Sequence, residues 1–175
     1  GGIYTLGVSP GTRIHHNTFH DIESFGYGGW GLYTDEGSSE ISMDHNLVFN
    51  TKDGSFHQHY GRDNHVTNNV LVNSQIWQVR RSRVEDHRSF IFDRNLFYWT
   101  RDTPLLGSNR KDGGFDIDHT ALAGGKDFDF AGMSLDKWRE TGKDQHSIIA
   151  DPLFVDAAAN DFRLREDSPA KQIGF

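Results

Sequence analysis

A short pattern of apolar and polar positions recurs along the first two thirds of the chain. Each copy has an apolar residue, two polar residues, an Asn, any residue and a second apolar residue. Four complete copies and a degraded fifth, in which Thr120 replaces the Asn, cover residues 14–19, 43–48, 66–71, 92–97 and 117–122. The Asn residues of the complete copies are 29, 23 and 26 residues apart. Repeats of this length are typical of solenoid proteins.

The repeated Asn predicts how the coils of such a solenoid stack. In a parallel β-helix each coil lies about 4.8 Å above the previous one, so an Asn can hydrogen-bond to the Asn of the next coil. An Asn also tolerates the left-handed backbone conformation that a sharp corner needs. The sequence therefore predicts an all-β right-handed parallel β-helix of about five coils, with a ladder formed by Asn17, Asn46, Asn69 and Asn95.

A second strand-like segment precedes each Asn, at residues 3–6, 32–35, 56–59, 77–80 and, more faintly, 105–108. Because side chains alternate between the two faces of a strand, the first and third positions of each segment should point inward. The predicted inner rows are Ile3, Leu32, Phe56 and Trp77, and then Thr5, Thr34, Gln58 and Val79. A Gln in such a row needs an internal hydrogen-bond partner.

The pattern changes after Thr120, so we divide one domain into coils over residues 1–125 and a closing part over residues 126–175. Residues 134–141 predict a short helix with Ser134 as its N-cap and Gly142 just past its end. Leu135 and Trp138 lie three residues apart and are expected to close the open end of the solenoid. Two strand-like pieces, at residues 151–155 and 161–165, are expected to protect the exposed β edge.

The outward positions of the upstream strands carry an unusual set of polar side chains. The predicted columns are Tyr4, Tyr33, His57 and Gln78, and then Leu6, Asp35, His59 and Arg80. An ordinary solvated sheet face carries Lys, Thr, Ser and Glu, and these columns contain no Lys. Tyr, His, Gln, Asp and Arg are the residues that bind sugar hydroxyls and ring faces and transfer protons.

Asp35 and Glu36 occupy a tight corner, where either carboxylate can act as a general acid or base. The alternative is a turn Asp that accepts backbone hydrogen bonds. His57 and His59 share one face of a strand and fit acid–base groups, donors to hydroxyls or, with Asp35, metal ligands. No third His is clearly placed, so the sequence predicts no metal and no cofactor, and it leaves a divalent cation open. Plain exposed His residues are the other alternative.

Residues 78–85 combine three Arg with one carboxylate. Arg80 and Arg83 can pair with a uronate or sulfate group, or hold a catalytic carboxylate ionised. A surface network with Glu85, worth little to stability, is the equal alternative. The glycine-rich residues 26–31 lack the Gly-Lys-Ser/Thr of a phosphate loop, and we expect Tyr27 and Trp30 there as stacking platforms for a sugar ring.

Composition narrows the partners. The net charge of −7 argues against binding to nucleic acid or an anionic membrane surface, and no apolar run approaches the roughly 18 residues of a membrane span. The chain has no Cys, which excludes disulfides and thiolate metal sites. It opens in what reads as the middle of a strand, so we expect a fragment whose N-terminal coils are missing or supplied by another chain.

Several segments together resemble the bacterial right-handed parallel β-helix proteins of carbohydrate metabolism. They are residues 29–37, 56–64, 151–156, 161–164 and 168–170. The first two resemble the glycoside hydrolase group whose known activities include α-L-fucosidase and xylanase. The resemblance implies a secreted, periplasmic or cell-surface protein of which this chain is the C-terminal part, and it implies the fold more strongly than the activity.

Three functional hypotheses follow. The preferred one is a glycoside hydrolase acting on plant or algal glycans, with Asp35 or Glu36 as one carboxyl group and Asp63 or Glu85 as the other. Its expected substrate-binding residues are Trp30, Tyr33, His57, Tyr60, Gln78, Arg80 and Arg83, with His59 beside the carboxylates. The second is a polysaccharide lyase, in which His59 or Tyr60 removes the proton next to a uronate that Arg80 or Gln78 neutralises. The third is a non-catalytic glycan-binding or structural β-helix.

Overall fold

The structure, a computed structural model, describes residues 1–107, 114–124 and 130–175. Its repeated strands form three parallel sheets. The first contains β1 (Ile3–Thr5), β4 (Leu32–Thr34), β7 (Phe56–Gln58), β10 (Val79–Arg81) and β13 (Leu106–Gly107). The second contains β2 (Arg13–His15), β5 (Ser42–Asp44), β8 (Asn64–Thr67), β11 (Phe90–Asp93) and β14 (Asp116–Asp118). The third contains β3 (Thr18–Ile22), β6 (Leu47–Thr51), β9 (Val70–Val72), β12 (Leu96–Trp99), β15 (Ala121–Gly124) and β16 (Ile148–Ile149).

Each coil contributes one strand to each sheet, and every strand pairs in parallel with its counterpart one coil away. In the first sheet, Ile3 pairs with Leu32, Leu32 with Phe56, and Phe56 with Val79. This confirms the predicted right-handed parallel β-helix of about five coils. No helix among the described residues is long and apolar enough to cross a membrane.

The amide ladder is present at the corner between the second and third sheets. The side-chain amide of Asn17 donates to Asn46 Oδ1 at 3.1 Å, Asn46 donates to Asn69 at 3.0 Å, and Asn69 donates to Asn95 at 3.0 Å. The backbone N–H of each donating Asn bonds to the same acceptor oxygen. These contacts satisfy polar groups that the stacked coils would otherwise bury without partners.

The left-handed residue of this corner is not the Asn, as we had expected, but the residue before it. The positive φ angles fall at His16, His45, Asn68, Arg94 and His119. The Asn side chain must point inward to meet the next rung, so the turn is made one residue earlier. The side chain at the turn then points outward.

Apolar side chains from all three sheets fill the interior. The ring centroid of Phe56 lies 5.3 Å from that of Phe90 and 5.0 Å from that of Phe92, in edge-to-face contacts. Gln58 lies in the same interior and has the internal partners that the sequence required. Its amide donates to the carbonyl of Gly61 at 2.8 Å and of Ser89 at 3.1 Å, and its oxygen accepts from Asn64.

The fourth coil follows a register different from the predicted one. Val79, not Trp77, pairs with Phe56, and Arg81, not Val79, pairs with Gln58. The reason is the turn before β10, which the buried Gln78 fixes by bonding to both the N–H and the carbonyl of Ser74. The fifth coil differs as well, because Leu106, and not Leu105, continues the row of Phe56 and Val79. Ser108, the last residue of that predicted strand, lies outside the described residues.

The predicted helix is confirmed as α1 (Leu135–Glu140), in which Ser134 caps the N-terminus by accepting from Lys137 N–H. Gly142 follows with a φ of +87°. Trp138 is buried against Phe115 and Phe130, so the helix closes the interior of the last coil as expected. The predicted boundary between residues 125 and 126 lies outside the described residues.

The two terminal strands, β17 (Phe154–Asp156) and β18 (Asp161–Leu164), form an antiparallel pair. They do not protect the β edge, as the sequence suggested; they pack across the outer face of the third sheet. The ring centroid of Phe162 lies 5.2 Å from that of Phe49, and the ring centroid of Phe154 lies 5.5 Å from that of Tyr98. The third sheet is apolar on both faces, so its outer face must be covered. Its edge at β15 is already paired with β16.

Candidate functional site

The outer face of the first sheet gathers the polar side chains that drew attention in the sequence. We call it the first-sheet wall and define it by Tyr4, Tyr33, Asp35, His57, His59, Arg80 and Ser82. Tyr33 pairs with His57, and His57 pairs with Arg80, so these residues form one column. The second column follows the strand ends and contains Asp35, His59 and Ser82, whose alignment is fixed by backbone bonds from His59 to Thr34 and from Ser82 to Gln58.

This arrangement corrects one element of the predicted wall. Arg80 lies in the column of His57 and not beside His59, because the fourth coil is shifted by two residues. Ser82 takes the place next to His59. The sequence analysis missed Ser82, although it lies in the same alternation once the strand is placed at Val79–Arg81.

Asp35 is the carboxylate of the wall. Tyr4 Oη donates to Asp35 Oδ2 at 2.8 Å. Burial alone would raise the pKa of Asp35, but hydrogen bonds from the backbone N–H of Glu36 and from the hydroxyls of Tyr33 and Tyr4 outweigh it and lower the pKa. Burial and the same carboxylate raise the pKa of Tyr33. Asp35 is therefore ionised at neutral pH and receives hydrogen bonds from two neutral phenols.

Ser82 bridges the two His residues of the wall. Its Oγ lies 2.9 Å from His57 Nε2 and 2.9 Å from His59 Nδ1. A hydroxyl donates only one proton, so at least one of the two imidazoles must donate to it. Burial, followed by the positive charges of Arg80 and His59, lowers the pKa of His57 to about 3. His57 is therefore neutral and inaccessible, and the partly exposed His59 is the imidazole of the pair that a ligand can reach.

Arg80 is committed to a partner that the sequence did not reveal. Its guanidinium forms an ion pair with the buried Asp53, and it lies 5.9 Å from the ring centroids of both Tyr27 and Trp30. Burial raises the pKa of Asp53 although Arg80 opposes that shift. Asp53 belongs to the turn between the third sheet and the next coil of the first sheet, and no strand pattern marks such a position.

The aromatic residues of the glycine-rich segment have different exposures. Trp30 is only 3% exposed, since its ring packs against those of Tyr33 and His57. The centroid distances are 4.4 Å to Tyr33 and 4.5 Å to His57. Tyr27 is 71% exposed and contacts Trp30 edge-on. Of the two predicted stacking platforms, only Tyr27 is accessible.

Tyr60 and Arg83 form one border of the wall. The Arg83 guanidinium lies 4.2 Å from the ring centroid of Tyr60, which is a cation–π contact. Tyr60 is partly buried and Arg83 is exposed. Both predicted substrate-binding residues are therefore accessible to a ligand lying on the wall.

Three other predicted residues are engaged elsewhere. Asp63 immediately precedes the second-sheet strand β8, and its carboxylate pairs with Arg88 at 2.9 Å. Glu85 pairs with His87 at 3.2 Å in the loop after β10. Gln78 is fully buried in its turn, and Arg80 takes the outward position predicted for it, because the strand lies two residues later than the predicted one. Glu36 is exposed next to Asp35.

The wall does not contain a cluster of metal-ligating atoms. Within the described ranges the group of three with mutually close ligand atoms is Asp118, His119 and His146, not Asp35, His57 and His59. The chemistry that the wall offers is therefore that of an ionised carboxylate, an accessible imidazole, a bridging hydroxyl and exposed aromatic rings.

The fold and this wall define the class of protein: a right-handed parallel β-helix with a polar outer face on its first sheet. Comparison of the chain with protein-family models, with curated proteins and with solved structures finds no match. Function must therefore be argued from the geometry of the site.

Proposed function

We propose that the protein is a carbohydrate-active enzyme, a glycoside hydrolase that acts on plant or algal polysaccharides or oligosaccharides at the first-sheet wall. The observation that carries the proposal is Asp35, held ionised by Tyr4 and Tyr33 one coil away from the accessible His59. Hydrolysis of a glycosidic bond needs a carboxylate at the reacting carbon or its attacking water and a proton donor at the leaving oxygen.

The wall supplies a group for each role. Asp35 is the carboxylate, because its pKa is lowered and it cannot readily give a proton. His59 or the exposed Glu36 gives a proton to the glycosidic oxygen as its bond to the sugar carbon breaks. Water adds its oxygen to that carbon and gives a proton to Asp35 or to the deprotonated donor. Tyr27 and Tyr60 offer ring faces to neighbouring sugar units, as aromatic side chains do in sugar sites.

A polysaccharide lyase is the second candidate, and one observation favours it. Asp63 and Glu85, the proposed second carboxylates of a hydrolase, pair with Arg88 and His87. Tyr60 and Arg83 meanwhile border the wall, and His59 lies within it. In a lyase, His59 or Tyr60 takes the proton from the carbon next to the uronate carboxylate. Arg83 neutralises that carboxylate, because Arg80 is already paired with Asp53.

The test is a screen of neutral and uronate-containing glycans with the full chain and with Asp35→Asn. We expect new reducing ends from the parent protein and a loss of about 10²- to 10⁴-fold in rate for the variant. Asp116→Asn, which changes an exposed carboxylate of the second sheet away from the wall, is the matched control and should retain the rate.

The product distinguishes the candidates, because a lyase leaves an unsaturated sugar that absorbs ultraviolet light and a hydrolase does not. Glycan binding without any product would point to a non-catalytic β-helix. Equal losses in Asp35→Asn and Asp116→Asn would contradict the assignment of the wall as the site.

A further inference from the structure

A second cluster of imidazoles and carboxylates lies at the last corner between the second and third sheets, outside the first-sheet wall. His119 occupies the left-handed position before Thr120, and its ring therefore points outward. His146 stands at the equivalent register position one coil further, two residues before Ile148, which pairs with Ala121. The two rings are stacked, with centroids 4.8 Å apart and planes 9° apart. Asp118 and Asp93 lie beside them.

The distances between the potential ligand atoms suit one small cation. Asp118 Oδ2 lies 2.7 Å from His146 Nδ1 and 3.9 Å from His119 Nδ1, and His119 Nδ1 lies 3.0 Å from Asp93 Oδ1. Ligand atoms around a tetrahedral Zn²⁺ are about 3.3 Å apart, given bonds of about 2.0–2.2 Å. The ligand atoms of Asp118, His119 and His146 all lie within 4.8 Å of one another, so rotation of the imidazole rings out of their stacked arrangement is the change that would bring them to this separation.

Asp118 is held in place independently of any ion. Its Oδ1 accepts the backbone N–H groups of His119 at 2.8 Å and of His146 at 2.7 Å, which directs Oδ2 toward the two rings. The carboxylate is therefore oriented toward the two rings before any ion binds.

A related corner three coils earlier shows what is special about this one. There, His16 and His45 stack at 5.0 Å, and His45 Nδ1 lies 2.7 Å from Asp44 Oδ2. Arg13, however, lies one coil below Asp44 and donates two hydrogen bonds to its carboxylate, at 2.7 and 2.5 Å.

The last corner has no such cation at that position. The residue in the place of Arg13, one coil below Asp118, is Ile91, which pairs with Asp116. Arg94 pairs with Asp93, but through Oδ2, and Oδ1 remains directed at His119. A cleft of about 440 Å³ that Asp93, Asp118 and His119 help to line connects the cluster with solvent.

From this geometry we propose that Asp118, His119 and His146, with Asp93 beside them, bind one divalent transition-metal ion such as Zn²⁺. Imidazole nitrogen with carboxylate oxygen is a ligand set that suits Zn²⁺ and its neighbours better than Ca²⁺ or Mg²⁺. The inference does not depend on the proposed carbohydrate activity, since the site lies at a different corner of the solenoid.

The test is calorimetric titration of the full chain with ZnCl₂, together with visible absorption spectra in Co²⁺, whose bands report coordination geometry. We expect one ion per chain, and we expect His119→Ala and His146→Ala each to weaken binding by roughly 10- to 100-fold or more. Asp118→Asn retains an oxygen for the two backbone N–H groups and should weaken binding without unfolding the corner. His45→Ala is the matched control and should bind as the parent does.

Three results would overturn the proposal. They are the absence of saturable Zn²⁺ binding at total concentrations up to about 100 µM, unchanged binding in both His119→Ala and His146→Ala, and an equal loss in His45→Ala, which would indicate general surface binding by His. Circular dichroism of each variant verifies its fold. His146 is exposed, so its substitution carries the test if His119→Ala destabilises the corner.

Discussion

The outer faces of the first and third sheets have the same geometry and opposite chemistry. Both are made of strands stacked in parallel register, with alternate residues pointing away from the interior. The outer rows of the third sheet are apolar and include Phe49 and Val72, which the C-terminal strands cover with Phe154 and Phe162. The outer rows of the first sheet are polar and aromatic and include Tyr4, Asp35 and His59.

The difference shows how a solenoid separates stability from function. A parallel sheet with two apolar faces must be covered on both, so the third sheet binds a segment of its own chain. The first-sheet wall instead joins several of its polar groups to one another, through Tyr4 with Asp35 and Ser82 with two His residues. Substitutions on the two faces should therefore have different consequences.

The largest effect is expected on the third sheet. Phe162→Ala removes a buried ring that contacts both Phe49 and Phe154, and it should lower the free energy of unfolding by about 3–5 kcal/mol. Tyr27→Ala, on the exposed side of the wall, should change it by no more than about 0.5 kcal/mol. Urea unfolding followed by circular dichroism measures both. Similar losses in the two variants would contradict the division of labour between the faces.

A smaller effect is expected at the Asn ladder, which lies inside the corner between the second and third sheets. Asn69→Ala leaves buried polar atoms of Asn46 and Asn95 without their hydrogen-bond partner. It should lower the free energy of unfolding by roughly 2–3 kcal/mol. Asn17 is an exposed terminal rung, so Asn17→Ala should cost well under 1 kcal/mol. Thermal unfolding compares the two variants. An equally large loss of stability in Asn17→Ala would show that burial within the ladder is not the reason why Asn69 stabilises the fold.

The smallest effect is expected within the wall. Tyr4→Phe removes one donor from Asp35, so the pKa of Asp35 should rise toward its ordinary value. A carboxyl group with a lowered pKa stabilises the folded state above its unfolded-state pKa, and this stabilisation is lost as pH falls through the folded-state value. The variant should lose it at a slightly higher pH. ¹³C NMR titration of the Asp carboxyl groups measures the shift, and an unmoved Asp35 would mean that Tyr4 does not control it.

The coil architecture could be predicted because its signals are local and repeated. The Asn spacing placed the ladder, Ser134 and Gly142 placed the helix, and the inward Gln58 was correctly expected to need partners. The fourth coil could not be placed, because Trp77 and Val79 both fit an inward apolar position in the pattern. Only the turn fixed by Gln78 and Ser74 selects between them.

The candidate site was predicted in part for the same reason. Asp35 and His59 follow directly from alternation, and they meet because neighbouring coils stack. Asp53, which pairs with Arg80, lies in the turn that connects the third sheet to the next strand of the first sheet. The ion pair joins residues 27 positions apart. Such a contact has no period, and a pattern read along one strand cannot contain it.

The sequence by itself determined the period, the inward and outward rows, and the kinds of residue on each face, because these depend on neighbours one or two positions apart. The tertiary structure decided which outward rows remain accessible, which ions pair, and that the terminal strands cover a face. Those outcomes depend on how whole coils pack, since burial is a property of the assembled surface and not of any one segment.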